Sequence, residues 1–229
     1  MLVLDVSDPA DPRLDDLRDL NHSDRRPDLP GGRGLVIAEG TYVVGRMLLS
    51  RFRPHILLGT DARLQERRRE AAVEDWDADE RAGDAVYLRT TKDVLSEVIG
   101  FRSSRDILAA ADRPAPLAVH DVVSGARTLV VLEGVNDPEN LGAIFRNCAA
   151  LGVDGVLFGA STGDPLYRRV VRVSMGHVLR LPFAHLPGTP TTWQRSLDDL
   201  RDQGFRTVAL TPSGAVPLSR AVDAEKVAF

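Results

Sequence analysis

The sequence predicts an α/β fold: a parallel sheet with helices on both faces, preceded by a smaller α/β domain. Three observations predict it. Short apolar runs such as Leu35–Ala38 and Thr128–Leu132 lack polar alternation, as expected of strands buried on both faces. Helix-length amphipathic segments separate them, and strands so separated imply right-handed crossovers and a parallel sheet. Between residues 109 and 116 the composition turns small and doubly prolyl (Ala109-Ala-Ala-Asp-Arg-Pro-Ala-Pro116), which suits an interdomain linker.

Taken in order, residues 1–30 are rich in Asp, Arg and Pro and read as an N-terminal extension, a short helix and then a loop, up to the glycines of Gly31–Gly34. The first domain spans 31–114. Strands are expected at Leu35–Ala38, His55–Leu58 and Ala85–Leu88, with helices at Glu39–Arg51, Asp61–Ala72 and Lys92–Ile99. The charged run Gln65–Glu70 is a solvated helix face before it is a phosphate contact. The second domain spans 115–229, with strands expected near 128–133, 154–158, 181–184 and 206–210 and helices near 138–151, 165–178 and 191–203. Glu225–Phe229 reads as the opening of one more strand without its covering helix, so the residues are expected to belong to a longer protein.

At 229 residues, 43% hydrophobic and 27% charged, the composition is that of a globular chain able to hold two modest domains. A net charge of −4 and a pI of about 5.7 exclude a general nucleic-acid coat but leave room for a local basic patch. One cysteine, Cys148, cannot build a disulfide framework, and its place on an apolar helix face makes it core filler; a reducing cytoplasm is expected. His22, His55, His120, His177 and His185 have no ligand spacing, so no metal is expected, and no apolar run reaches the ~20 residues of a membrane span.

The richest segment is Asn136–Asn147, N-D-P-E-N-L-G-A-I-F-R-N, directly after the Thr128–Leu132 strand. Asp137 suits a helix cap, Pro138 the first helical position and Glu139 the positive end of the dipole. At about 100° per residue, Leu141, Ile144, Phe145, Cys148 and Leu151 share one face, while Asn140, Arg146 and Asn147 lie opposite. On an isolated helix those polar groups are more simply a solvated face. At the carboxyl end of a parallel strand, where open sheets bind ligands, they resemble a site.

Three further places carry chemistry. Asp164-Pro165 reads as a second capped helix start, followed by Arg168, Arg169 and Arg172 crowded on one side and by Arg180; such arginines suit nucleic-acid phosphates or, equally, a solubilising face. Gly176, after Ser174-Met175, suits close helix packing rather than a ligand. The turn Leu210-Thr211-Pro-Ser-Gly214 follows a strand and can meet a cofactor through its backbone, although such turns are common. The dinucleotide and nucleoside-triphosphate phosphate loops and the G-x-S-x-G elbow do not occur.

The run Leu132–Asn147, with Ala149–Val153 behind it, closely resembles the first motif of the SpoU/TrmH-type RNA 2′-O-ribose methyltransferases. The similarity continues through Asp164–Tyr167, Val171–Gly176 and Leu181–Phe183. Upstream, Glu39-Gly40 and Arg105–Pro114 are similar to that family's L30e-like RNA-recognition domain. The resemblance implies a SPOUT α/β sheet with a carboxyl-terminal trefoil knot, S-adenosylmethionine as cofactor, RNA (rRNA or tRNA) as substrate and a homodimer. It puts Arg146 at the catalytic arginine, Asn140 at the motif asparagine and Glu133 at the acidic residue ending the strand. With that cofactor and substrate in view, the turn residues Leu210, Thr211 and Gly214 are the candidate cofactor contacts and Arg168, Arg169 and Arg172 the candidate RNA contacts, both on the residue readings above. The family's third motif, a G-x-E-G-x-G-L turn with I-P-M and S-L-N beyond it, would begin after Phe229. The knot is therefore expected to be incomplete here, and cofactor binding and activity weak or absent. A non-catalytic RNA-binding or assembly protein on the same scaffold is the alternative, and a small-molecule enzyme a distant third.

Overall fold

The computed structural model describes residues 1–21, 34–73, 82–102 and 104–229, and the chain divides into two compact units. The first comprises Met1–Pro114 together with Pro165–Arg180, and the second Ala115–Asp164 together with Leu181–Phe229.

In the first unit, strands β1 (Leu2–Asp5), β2 (Leu35–Glu39), β3 (Pro54–Gly59), β4 (Val86–Arg89) and β5 (Ile107–Asp112) form one sheet in the order β1-β4-β3-β5-β2. β1, β3 and β4 run parallel, and β5 runs antiparallel to both neighbours. Helices α1 (Thr41–Leu48), α2 (Asp61–Val73) and α3 (Lys92–Ile99) follow β2, β3 and β4. Thr91 caps α3, its hydroxyl accepting from the Val94 N–H at 3.3 Å, and Gly100 ends it in the left-handed conformation. One face of the sheet packs Ile37, Leu58 and Leu88 against Leu95 and Ile99 of α3 and against Leu14 and Leu17 of a 3-10 helix at Pro12–Leu17.

Two sequence expectations are corrected here. Residues 1–21 include the expected short helix, as the 3-10 turn Pro12–Leu17, but also supply a strand and core leucines to this sheet where only an extension was expected; the signal was a strand of only four residues, paired on one side. Ala109–Ala111, read as linker, are fully buried in β5 between β2 and β3. Alanine's weak strand propensity loses to burial between two neighbours. The glycine run Gly31–Arg33 lies outside the described residues.

In the second unit, α4 (Val119–Val123) precedes strands β6 (Thr128–Leu132), β7 (Gly155–Phe158), β8 (Phe183–His185), β9 (Arg206–Thr207) and β10 (Val227–Ala228). They form an all-parallel sheet in the order β8-β7-β6-β10-β9. α5 (Pro138–Ala150) joins β6 to β7, and α7 (Ser196–Asp202) lies between β8 and β9; α8 (Leu218–Ala221) precedes β10. One face packs Leu129, Leu157 and Ala184 against Val122, Trp193 and Leu200. On the other, Phe145 of α5 meets Phe158 and Phe183 at ring centroids 6.1 and 6.0 Å away. Cys148 is buried there and burial pushes its thiol up to about 11, as suits core filler. Leu151 departs from the expected apolar face: it is 81% exposed, because the helix stops one residue earlier and Leu151 is its C-cap.

The helix expected at 165–178 is shorter. α6 runs Arg168–Val173 with Tyr167 at its N-cap, so Asp164-Pro165 forms a turn instead of a helix start. α6 packs on β2 within the first unit. Gly176, at φ +82°, then lets the chain approach α1: a Cβ there would lie 3.2 Å from the Val43 Cα. Among the described residues no helix is long and apolar enough to cross a membrane, and no group of three or more His, Cys, Asp or Glu is gathered as a metal site.

Candidate active site

In the second sheet the chain runs from β6 outward to β7 and β8, then returns on the other side to β9 and β10. The reversal falls between β6 and β10, and open sheets bind ligands outside the carboxyl ends of the strands at such a point. The loop after β6 is fixed by the loop after β7. The Gly134 N–H donates to Ala160 O at 3.0 Å, the Gly163 N–H to Val135 O at 2.9 Å, and the Thr162 hydroxyl to Leu132 O at 3.2 Å. Gly163 must lack a side chain there, since a Cβ would stand 3.2 Å from Asn136 O. Asp137 then caps α5, its Oδ1 accepting from the Asn140 N–H at 2.8 Å. The start of α5 is thus held from two directions.

The sequence-predicted residues take different places on this frame. The Arg146 guanidinium is exposed on α5 and has no hydrogen bond or ion pair among the described residues. The Asn140 amide is likewise exposed and unbonded among them. Glu133, at the end of β6, has its Oε1 engaged by the Trp193 indole N–H at 2.8 Å and by the Gln194 amide at 3.4 Å. Trp193 is buried against Gly159, where a Cβ would come 2.8 Å from the indole ring. His185, at the end of β8, lies 5.0 Å from the Phe158 ring, and burial lowers its pKa against the opposing pull of Asp164.

A cavity of about 970 Å³ opens beside these strands, its walls including Val130, Leu132, Ile144, Val208 and Leu210. Glu133 and Asn147 supply polar groups to a lining that is otherwise largely apolar. Leu210 belongs to it and is 69% exposed; Thr211 and Gly214 continue the same exposed turn, closed by the Gly214 N–H donating to Thr211 O at 3.3 Å. Asn140 and Arg146 do not line this cavity.

The arginines of α6 belong to the first unit and differ among themselves. Arg168 is largely buried, paired with the buried Glu39 at 3.4 Å, bonded to the Asn21 side chain at 3.3 Å and stacked over Phe101 at 5.1 Å. Arg169 is exposed, and Arg172 is half-buried and lines a separate cavity. Sequence reasoning missed the Trp193–Glu133 contact, because an indole sixty residues away leaves no local pattern. The one available signal was Gly159 directly after a buried strand, a sign of close approach by another group.

Comparison with known proteins identifies the family and the fold. The SpoU rRNA methylase family model matches residues 127–229. A tRNA/rRNA methyltransferase of Mycobacterium tuberculosis is 56% identical over 213 residues, covering 93% of this chain and 69% of that protein. A TrmH family tRNA/rRNA methyltransferase of Staphylococcus aureus is 35% identical over 81 residues, covering 35% of this chain and 31% of its own length. Among solved structures, an RNA 2′-O ribose methyltransferase superposes with a TM-score of 0.71 at 21% identity, over 98% of this chain and 80% of that one. The SpoU methyltransferase AviRb of Streptomyces viridochromogenes, in complex with the cofactor AdoMet, gives 0.67 at 18%, over 95% and 80%. At such identities the solved structures speak for the fold, while the mycobacterial relative fixes the family. The chain belongs to the SpoU/TrmH family of tRNA/rRNA methyltransferases.

Proposed function

We propose that this chain methylates a ribose 2′-hydroxyl in rRNA or tRNA, with S-adenosylmethionine as methyl donor, Arg146 and Asn140 as its catalytic polar groups and a homodimer as its working form. The observation that carries the reading is the exposed Arg146, without a partner among the described residues, on a helix whose start is fixed by two loops and a cap. An arginine kept out of every internal ion pair is available to an anion. A ribose hydroxyl is a poor nucleophile at neutral pH, and a guanidinium stabilises the alkoxide as it forms and can hold the adjoining phosphate. Arg146 cannot take the proton itself, since a guanidinium stays charged. Glu133 has one oxygen held by Trp193 and Gln194, so its Oε2 is presented in a fixed orientation as an acceptor. Asn140 offers both a donor and an acceptor to orient the sugar.

The cofactor supplies an electrophilic methyl on a sulfonium. The cavity beside β6 and β9 suits such a ligand in chemistry: apolar walls for a heterocycle, and the Glu133 carboxylate for a positive centre. Leu210 would hold it through the wall it forms, and Thr211 and Gly214 through the backbone of their turn. The homodimer is what the motif resemblance around Asn136–Asn147 implies. Light scattering at twice the 25.0 kDa chain mass is the expected result.

The test supplies tritiated S-adenosylmethionine and ribosomal or transfer RNA from a strain lacking the gene, followed by digestion to nucleosides. Label is expected in 2′-O-methylated nucleosides and reduced about a hundred- to thousand-fold by Arg146→Ala. Label on a base, or near-normal turnover by that variant, overturns the reading.

A further inference from the structure

Within the first unit, Arg46, Arg172 and Arg180 gather around His177, and none of them has an acidic partner among the described residues. Arg46 lies on α1 and its Nη1 donates to Met175 O at 2.8 Å, which fixes the guanidinium against the turn after α6. His177 and Arg180 follow in that turn and its 3-10 helix. The three are close enough to disturb one another: Arg46 is held below the usual guanidinium value first by burial and then by Arg180, and His177 is lowered by burial, Arg46 and Arg180. Crowded like charges cost stability, and a fold that keeps them is best relieved by an anion from outside.

An aromatic ring stands beside them. Tyr42 is four residues before Arg46 on α1, 69% exposed, and it lines with Arg172 and Met175 a cavity of about 400 Å³. The acidic residues of that cavity are already committed: Glu66 to Arg63, Glu70 to Arg67 at 2.8 Å and Glu39 to Arg168 at 3.4 Å. Arg172, Arg180 and His177 have no hydrogen bond or ion pair from their side chains among the described residues. Among the described residues this surface therefore keeps a surplus of positive charge, although the chain as a whole is at −4.

We propose that Tyr42, Arg46, Arg172, His177 and Arg180 form a docking surface for a single-stranded segment of RNA, the phosphates held by the three arginines with the His177 ring N–H as a neutral donor, and one unstacked base laid on Tyr42. This deepens the RNA methyltransferase reading and rests on it. A base-sized cavity edged by an exposed ring and flanked by cations is the arrangement that binds unpaired nucleotides, since every base has a face to stack. A duplex hides those faces and would leave Tyr42 unused. Arg168, buried on Glu39, is not part of the surface.

The test uses the whole chain and two fluorescein-labelled probes, a 12-nucleotide single-stranded RNA of mixed sequence and the corresponding duplex, read by anisotropy across a salt series. The single strand is expected to bind more tightly than the duplex. The double variant Arg172→Gln/Arg180→Gln should lower affinity for it and flatten the slope of log affinity against log salt by about 1.4, two phosphates at ~0.7 each. Tyr42→Ala should weaken binding about tenfold with the slope unchanged, and Tyr42→Phe should restore it. Unchanged circular dichroism and melting show that each variant is folded; Arg206→Gln, in the other unit, serves as a control and should bind as the parent does. Parent-like binding and slope in all the variants would overturn the surface while leaving RNA binding intact. Equal or tighter duplex binding would overturn the single-strand assignment. Failure of the parent to bind either probe would overturn the surface together with the RNA reading. A change of oligomeric state in the arginine variants, with RNA affinity untouched, would assign the surface to a second copy and overturn the proposal.

Discussion

The two sheets treat the polar residues around their strand ends in opposite ways. In the first, charges near the strand ends are consumed internally: Glu39 by Arg168, Asp106 by Lys92 at 2.6 Å, and Asp5 and Asp61 by Arg89 at 2.6 and 3.1 Å. In the second, the groups after β6 and along α5 stay open, with the Arg146 and Asn140 side chains unbonded among the described residues and Glu133 held at one oxygen only. The difference teaches how to tell scaffold from chemistry in this chain. A buried charge with a dedicated partner holds the fold, whereas a charge oriented by its surroundings yet left unpaired is available to a substrate.

Variants can break that distinction or sharpen it, with hydrogen exchange at β3 and β6 reporting on each unit separately. The largest effect is expected of Phe145→Ala, which removes one of three mutually contacting rings and should cost the second unit about 3–5 kcal/mol. Arg168→Ala leaves the Glu39 carboxylate buried and unpaired and should cost about 3 kcal/mol, read at β3; a loss confined to RNA affinity would return Arg168 to the substrate surface. Gly159→Ala drives a methyl into the Trp193 indole and should cost about 1–3 kcal/mol in the second unit. Acid should act on both units together. His177 and His185 have folded pKa values below 6.5, so the unfolded chain binds more protons, and stability should fall as pH drops through 6.5 and stay level above neutrality. A pH-independent melting temperature between pH 7 and 5 would contradict this. The smallest effect is expected of Arg146→Ala, within about 0.5 kcal/mol despite its large effect on turnover. A clear destabilisation would show that Arg146 is scaffold after all.

Much of this was legible in the sequence wherever the signal was local. Asp137-Pro138 starts α5 as its chemistry dictates, and α3 occupies Lys92–Ile99 between a threonine cap and a glycine stop. The apolar run at 128–132 lies inside an all-parallel sheet. What escaped depended on partners far along the chain. The alanines of β5 look like linker until β2 and β3 flank them, and Asp164-Pro165 looks like a helix start until the turn after it carries the chain to Tyr167. At the candidate site, Asn140, Arg146 and Glu133 could be named from the sequence. The grip of Trp193 on Glu133 could not, because it joins residues that no helix or strand periodicity relates.

The return of Pro165–Arg180 to the first unit has a consequence for the chain as it leaves the ribosome. When the sheet of the first unit is complete, at Asp112, the arginine that neutralises Glu39 has still to be synthesised. Until Arg168 arrives, the Glu39 carboxylate lacks the ion pair it has in the finished unit, and burying it without that pair is costly. Translation order thus makes the first unit the earlier to be made but not the earlier to be finished: it closes only once the first strands of the second unit have already emerged.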